Sequence, residues 1–429
     1  MSTQRARTEI KLTERQVLSL LLVVFCLAAV AWMRLVPVGE GPDEGSHLLF
    51  VQTLAGDGPP ITWRWGLPVM ATGEGQPREW EDPNFEVHQP PLYYWLAALL
   101  YRLAGLGGVR ALALLCGALT VWLTWRLACE VVAPDLALAA TAVAALLPMH
   151  QYLSGRVNND CLANALWAFV LWRLVRVVRG AASAREGLWC GLGLGAALLT
   201  KQTALVLVPL VPLAAVLARG RAAWRWAAVA LGVAAALALW WYLRNVVVYG
   251  DPCAQQAFDT RFLTRRPTPR TIAAQFAHQP AWRYWPFVWS WTVRSFVVYI
   301  GMGARDLLPA GVYPPTQALF WAAVAGLGVA FARGRGRPAR GSAALLAAAG
   351  LLLGGLYVQF NTRYFQAQGR YFLPLLPGLA LLLTAGLSRP FARGSALARY
   401  GLLVAPLWLA LLDALLLAVY LPGLYEGQP

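Results

Sequence analysis

The stretch QVLSLLLVVFCLAAVAWMRLVP, residues 16–37, is followed closely by Pro42-Asp43-Glu44-Gly45-Ser46-His47. A helix needs about 20 mainly apolar residues to cross the hydrocarbon core of a bilayer. The first stretch meets that requirement. It lacks a small-residue cleavage site, so it reads as a retained span and not as a signal peptide. The second stretch places two carboxylates and an imidazole where the chain leaves the bilayer. Proline with acidic residues in a first turn is an ordinary helix start, favoured by proline's fixed φ and by the helix dipole. General-base or metal-binding chemistry at a membrane surface is the competing reading. The local sequence does not choose between them.

Composition generalises the first observation. Hydrophobic residues make up 59% of the 429 and charged residues 13%, against about 25% charged in soluble domains. The apolar pattern predicts spans at 16–37, 108–128, 135–153, 159–178, 187–200, 203–218, 226–246, 316–332, 343–360, 371–388 and 400–420. The fold class is an all-α polytopic membrane protein of about eleven transmembrane helices.

The formal charge of +16 is placed by topology, and no nucleic-acid partner is needed to explain it. Basic residues concentrate between alternate spans: Arg5, Arg7, Lys11 and Arg15; Arg173, Arg176, Arg179 and Arg185; Arg219, Arg221 and Arg225; Arg333, Arg335, Arg337 and Arg340; Arg389, Arg393 and Arg399. Under the positive-inside rule these segments face the cytoplasm, with the N-terminus inside and the C-terminus outside. A break at Thr200-Lys201-Gln202 is required to keep them on one side. The six cysteines show no spacing that suggests a zinc site or a disulfide framework.

Two outer segments are long, at about 38–107 and 247–315. The first opens with an amphipathic helix at 43–55, stopped by Gly56-Asp57-Gly58. It closes with His88-Gln89-Pro90-Pro91-Leu92-Tyr93-Tyr94-Trp95 and a short apolar helix to about 104, which reads as interfacial. The second carries Arg261, Arg265, Arg266, Arg270, Arg283, Arg294 and Arg305 among tryptophans and tyrosines. Arginine on the translocated side runs against the topology bias, so an anionic partner is expected there.

Several polar residues map to this same outer boundary. Lys201 stands out because it and Lys11 are the only lysines among 36 basic residues; its ammonium suits a phosphate as a point charge. Arg370, in Gln368-Gly369-Arg370-Tyr371, offers a bidentate guanidinium. Arg244-Asn245 precedes the turn signal Tyr249-Gly250-Asp251-Pro252. Asp160, in Arg156-Val157-Asn158-Asn159-Asp160, reads as a helix cap or an acidic site residue. Asp413 lies inside the last span without a partner in the sequence. Taken together, a carboxylate to deprotonate an acceptor hydroxyl and cations to stabilise a departing lipid phosphate make a site for glycosyl transfer. A transporter or flippase for a lipid-linked or anionic solute is the alternative. It predicts ionisable residues near the midplane, at about 2.5–3.5 kcal/mol each on insertion scales.

The ordered motifs Pro42-Asp43-Glu44, His88-Gln89-Pro90-Pro91-Leu92-Tyr93-Tyr94-Trp95, Asn159-Asp160, Leu199-Thr200-Lys201, Arg244-Asn245 with Tyr249-Gly250-Asp251-Pro252, and Gln368-Gly369-Arg370-Tyr371 cover about residues 15–390. In this series the chain resembles the GT-C superfamily of polyprenyl-phosphate-sugar-dependent glycosyltransferases. It is most similar to the clan of protein O-mannosyltransferases, aminoarabinose transferases and rhizobial-type glycosyltransferases. The resemblance implies a GT-C-like bundle with interfacial helices in the first outer loop. The catalytic module is expected at 1–390, followed at 391–429 by a cytoplasmic loop, the last span and a short outer tail.

The activity implied is inverting transfer of a sugar from a polyprenyl-phosphate donor to a glycan, lipid or protein acceptor of the cell envelope. It would take place on the outer side of a bacterial inner membrane. Asp43 is then the expected base, with Glu44 as a second catalytic carboxylate. His47 and Asp160 orient the acceptor or a divalent cation, for which Asp43, Glu44 and His47 are the candidate ligands. Lys201, Arg370, Arg244 and His88 are the candidates for the donor phosphate. Relatives place a lysine before the first proline of the second motif. This chain has His88-Gln89 there, which shifts the phosphate role toward Lys201 or Arg370.

Overall fold

The computed structural model describes residues 13–59, 62–64, 67–68, 86–262, 268–275, 283–298, 300, 308–333 and 340–425. Expectations resting on Arg5, Arg7, Lys11, Arg265, Arg266, Trp282, Arg305, Arg335 and Arg337, and on the side chain of Arg261, lie outside these residues. Among the described residues all regular structure is helical, apart from a two-residue antiparallel pairing of Trp63–Arg64 with Leu67–Pro68.

In chain order the first helices are α1 (Glu14–Leu35), α2 (Glu44–Ala55), α3 (Leu92–Val131), α4 (Pro134–Leu146), α5 (Pro148–Leu153) and α6 (Asp160–Val178). Next come α7 (Ala184–Leu198), α8 (Leu210–Ala218), α9 (Arg221–Tyr249), α10 (Gln255–Phe262), α11 (Pro269–Gln275) and α12 (Tyr284–Val297). The series closes with α13 (Tyr313–Ala332), α14 (Arg340–Arg363), α15 (Leu376–Ser388), α16 (Ala396–Leu415) and α17 (Leu421–Tyr425). Short 3-10 turns at Glu86–His88, Gln202–Leu207 and Gly369–Leu375 lead into α3, α8 and α15.

Eight helical stretches among the described residues are long and apolar enough to cross a membrane, fewer than the eleven expected. Three of the predicted spans are shorter or interrupted helices. The predicted span 135–153 is interrupted at Leu147-Pro148, where Leu147 is extended at ψ 114°, as residues before proline prefer. The span predicted at 187–200 is the 15-residue α7. The one at 203–218 begins as a 3-10 turn and becomes α8 only after Pro209. The expected break between these two is present, with Lys201 extended at φ −153°, ψ 136°. Within α3, Ala104 and Gly105 leave helical geometry, which separates the short helix opened by Leu92 from the span that follows.

Packing follows membrane rules. The strongest helix pairings are α7 with α9, α3 with α6, and α13 with α15. Apolar tails compete equally for apolar side chains, so helices associate through close contact at small residues. On α7, Gly191 permits this approach: a Cβ there would stand 2.6 Å from the Ala230 carbonyl oxygen of α9. Trp32, Trp167, Trp226 and Trp241 are buried in the bundle, while Leu351 is 78% exposed on its outer face. Burial inside and leucine outside are what lipid solvent allows.

The two ends of the bundle differ in their charges. Asp160 opens α6 and Arg176 lies near its far end, about 24 Å along the axis at 1.5 Å per residue. There Arg173 and Arg176 pair with Glu186 at 2.9 and 3.1 Å, and the Arg173 and Arg126 guanidiniums stack on Trp172 at 4.3 and 4.5 Å. Two basic residues of the interspan set, Arg173 and Arg176, are thereby anchored with Arg126 at the end away from Asp160.

Candidate active site

The connection between α1 and α3 is built around a helix start that does not follow the expected pattern. Pro42 is not the first helical residue; Asp43 is the N-cap, in left-handed geometry at φ 59°. Aspartate tolerates this region better than most residues. Its side chain makes no capping hydrogen bond to α2. The carboxylate is directed instead to Arg370, whose Nη2 donates to Oδ2 at 2.6 Å. Strain of this kind tends to be kept where a function holds it.

Arg370 is delivered from the other end of the chain by the turn Gly369–Leu375. Gly369 is required there because a Cβ would stand 2.4 Å from the Thr292 carbonyl oxygen of α12. Its amide also donates to Ser295 Oγ at 2.7 Å. With the backbone pinned, Arg370 Nε donates to Gln368 Oε1 at 2.6 Å and Nη1 to Asp160 Oδ2 at 3.1 Å. Lys201 donates to the other oxygen of Asp160. Asp43, Arg370, Asp160 and Lys201 therefore form one chain of alternating charges from four distant parts of the sequence.

Each of these positions has a local cause. Asn158 Oδ1 accepts from the Cys161 amide and caps the start of α6, which releases Asn159 and Asp160 from the capping role expected of them. Asn159 Nδ2 instead reaches Gln89 Oε1 and the Thr200 carbonyl, both at 3.4 Å. The Leu92 amide donates to the Leu199 carbonyl at 2.8 Å, and Gln202 Nε2 to the His88 carbonyl at 3.2 Å. The sequence motifs thus join through backbone groups as well as through side chains.

The charged quartet faces a cavity of about 510 Å³. Asp43, Lys201 and Arg370 line it directly. One wall is apolar, formed by Leu205, Val206, Leu353, Leu356 and Phe360. Another is polar and contains His47, Glu86, His88, Gln89 and Asn159. The His88 ring stands against Phe258 with centroids 5.2 Å apart. Such a space suits an amphiphile with an anionic group at the junction of its two halves.

His47 and Glu86 are both buried, and Tyr94 joins them: its hydroxyl lies 2.8 Å from His47 Nδ1 and donates to Glu86 Oε2 at 3.4 Å. Burial drives the imidazole pKa down to about 3. Burial, reinforced by the charge of Asp43, raises the Glu86 carboxyl to about 8. At pH 7 neither group is charged, so their 3.8 Å contact is a neutral one.

Not every expected residue reaches the cavity. Glu44 is fully buried elsewhere: its carboxylate accepts from the amides of Gly39, Gly41 and Val157 at 3.0–3.1 Å. Arg156 and Arg110 stand 3.6 and 3.9 Å away. Arg156 also donates to the carbonyls of Trp32, Val36 and Pro37, so Glu44 and Arg156 lock the end of α1 to the α5–α6 turn. The catalytic and ligand roles expected of Glu44 are not supported by this placement. No group of three His, Cys, Asp or Glu among the described residues could hold a metal ion. Asp43, Glu44 and His47 do not converge on one point, because each is held by a different partner.

Arg244 is likewise absent from the cavity lining. It donates to Asn245 Oδ1 at 2.8 Å and stacks over Trp241 and Tyr249, while Asn245 Nδ2 donates to the Pro252 carbonyl at 3.1 Å. These contacts brace the turn that ends α9. Of the second loop's arginines, Arg294 stacks over Tyr313 at 5.2 Å, and Arg270 and Arg283 are exposed; none of these three lines the cavity. Asp413 gains a partner, since Trp32 Nε1 donates to it at 2.9 Å. Glu86 is the residue that sequence reasoning missed. Its only signal was a carboxylate two residues before His88, in a loop that also carries Glu74, Glu79, Glu81 and Asp82.

This helical bundle, with a charged quartet at one end beside a half-apolar cavity, is GT-C-like in fold. The family model of dolichyl-phosphate-mannose-protein mannosyltransferases matches residues 88–242, from His88 through Asp160 and Lys201 to Tyr242. No curated protein sequence matches the chain. Among solved structures, the chain is similar to ArnT from Cupriavidus metallidurans bound to undecaprenyl phosphate, with a TM-score of 0.52 and 18% identity over 86% of this chain and 60% of that one. It is also similar to the oligosaccharyltransferase of Archaeoglobus fulgidus, with a TM-score of 0.50 and 14% identity over 92% of this chain and 55% of that one. The chain therefore spans somewhat over half the length of these structures.

Proposed function

We propose that the protein is an integral-membrane inverting glycosyltransferase that moves a sugar from a polyprenyl-phosphate donor to a hydroxyl of a cell-envelope acceptor. The observation that carries this reading is the Asp43–Arg370–Asp160–Lys201 chain set at the edge of a cavity with one apolar wall. In the resting arrangement each cation is engaged by a carboxylate. The donor phosphodiester competes for Arg370 and Lys201, and Arg370's move toward the phosphate frees the Asp43 carboxylate.

Asp43 then takes the proton of the acceptor hydroxyl. The acceptor oxygen bonds to the anomeric carbon from the face opposite the phosphate, and the bond from that carbon to the phosphate oxygen breaks. The electron pair leaves with the lipid phosphate, whose new charge Arg370 and Lys201 stabilise. Asp160 holds the two cations in register through both its oxygens. The apolar wall carries the start of the lipid chain. The Arg173–Arg176 cluster at the opposite end of α6 supports an outward-facing site, because basic residues favour the cytoplasmic side.

The test is release of undecaprenyl phosphate from undecaprenyl-phosphate-linked sugars by the purified full chain in the presence of envelope acceptors. Wild type releases it and Asp43→Asn does not. Full release by Asp43→Asn removes Asp43 from the mechanism. Counterflow of a labelled lipid-linked sugar in proteoliposomes without product supports the transporter alternative instead.

A further inference from the structure

The reaction assigned above uses the charged quartet and the apolar wall, but it leaves the polar wall of the cavity without a role. Glu86 is the chemically unusual member of that wall. Its side chain is buried at 4% exposure and lines the cavity. Among the described residues its ion-pair-range partner is His47 alone, and Lys201 and Arg370 are engaged by Asp160 and Asp43. A buried carboxylate without a cation is costly and takes up a proton instead. A carboxylic acid offers one strong donor and an acceptor, and Tyr94 fixes one of its oxygens. With the phosphate on the cations and the lipid on the apolar wall, the substrate part left to face Glu86 is the sugar.

Resting on the glycosyl-transfer reading, we propose that Glu86 is a further substrate-contacting residue, whose carboxyl hydroxyl donates a hydrogen bond to an uncharged oxygen of the sugar carried by the donor. His47 and Tyr94 are positioning residues for it. An uncharged hexose fits this wall. A uronic acid does not, because its carboxylate would lie in a buried space beside Asp43, where among the described residues Lys201 and Arg370 are already engaged.

Binding of three probes to the full chain in nanodiscs tests this: farnesyl phosphate, farnesyl phosphoglucose and farnesyl phosphogalacturonate. At pH 7 the glucose conjugate binds more tightly than farnesyl phosphate, and the galacturonate conjugate gains nothing. Glu86→Ala reduces the gain from glucose about fivefold, the worth of one buried neutral hydrogen bond, and leaves farnesyl phosphate binding unchanged.

The pH dependence gives a second readout, because the donating form is lost as pH rises through about 8. Wild type loses the glucose gain above that pH, whereas Glu86→Gln, which cannot ionise, keeps it. The groups facing Glu86 are His47, Asp43, Tyr94, Lys201 and Arg370. All are retained in Glu86→Gln, so a loss that persists in that variant comes from them and overturns the assignment. An undiminished glucose gain in Glu86→Ala, or tight binding of the galacturonate conjugate, also overturns it. Failure of farnesyl phosphate itself to bind wild type defeats the underlying reading, and the two failures are therefore distinct.

Discussion

Asp43 and Glu44 are neighbours in the chain and opposites in the structure. Glu44 is enclosed by three backbone amides and the guanidinium of Arg156, with no exposure. Asp43, one residue earlier, lines the cavity and is held by Arg370. A carboxylate satisfied by immovable amides is structural, because no ligand can replace its partners. A carboxylate paired with a side chain that a phosphate can claim is available for chemistry. The difference lies in the partners and not in the residue type.

The largest effect that would break this contrast is kinetic. Asp43→Asn should lower transfer by about 10²–10⁴-fold, the range for loss of a positioned general base, while the melting temperature stays at the wild-type value. Asparagine tolerates the left-handed backbone here, so a fall in stability would place Asp43 with the structural residues. Glu44→Ala should do the reverse. It strands the buried Arg156 and should cost about 3–5 kcal/mol, read as thermal inactivation in detergent, with turnover per folded molecule preserved.

Smaller effects sharpen the comparison. Lys201→Met removes one charge-assisted contact and should weaken farnesyl phosphate binding by about 1.5–3 kcal/mol, measured by calorimetry. An unchanged affinity would leave Lys201 as a partner of Asp160 only. The smallest effect concerns the last span. Trp32→Phe removes the donor to Asp413 and should cost about 1–2 kcal/mol of stability without changing transfer, measured by thermal shift beside the activity assay.

The membrane class was legible from apolar runs and the basic segments between them, because crossing a bilayer requires length and apolarity that a one-dimensional pattern can show. The count of spans was less legible. Leu147-Pro148 and Pro209 interrupt apolar runs, and hydropathy alone does not show where those helices break. Within the site, Asp43, Asp160, Lys201 and Arg370 could be selected as charges at one boundary. Glu44 and Arg244 were selected by the same criterion, yet they do not line the cavity. Glu86 escaped because one carboxylate among several in a long loop, with Glu74, Glu79, Glu81 and Asp82 shortly before it, carries no periodic or spacing signal.

The sequence by itself determined the solvent of the fold, the boundary at which its candidate site residues gather, and the residue types available there. Those follow from transfer free energies, which depend on local composition. Only the tertiary structure decided which neighbour of the Asp43–Glu44 pair meets the cavity. That choice depends on Arg370, Arg156 and the Val157 amide, which lie more than 100 positions away in sequence. Electrostatic pairing depends on separation in space, and the chain brings those groups together only by folding.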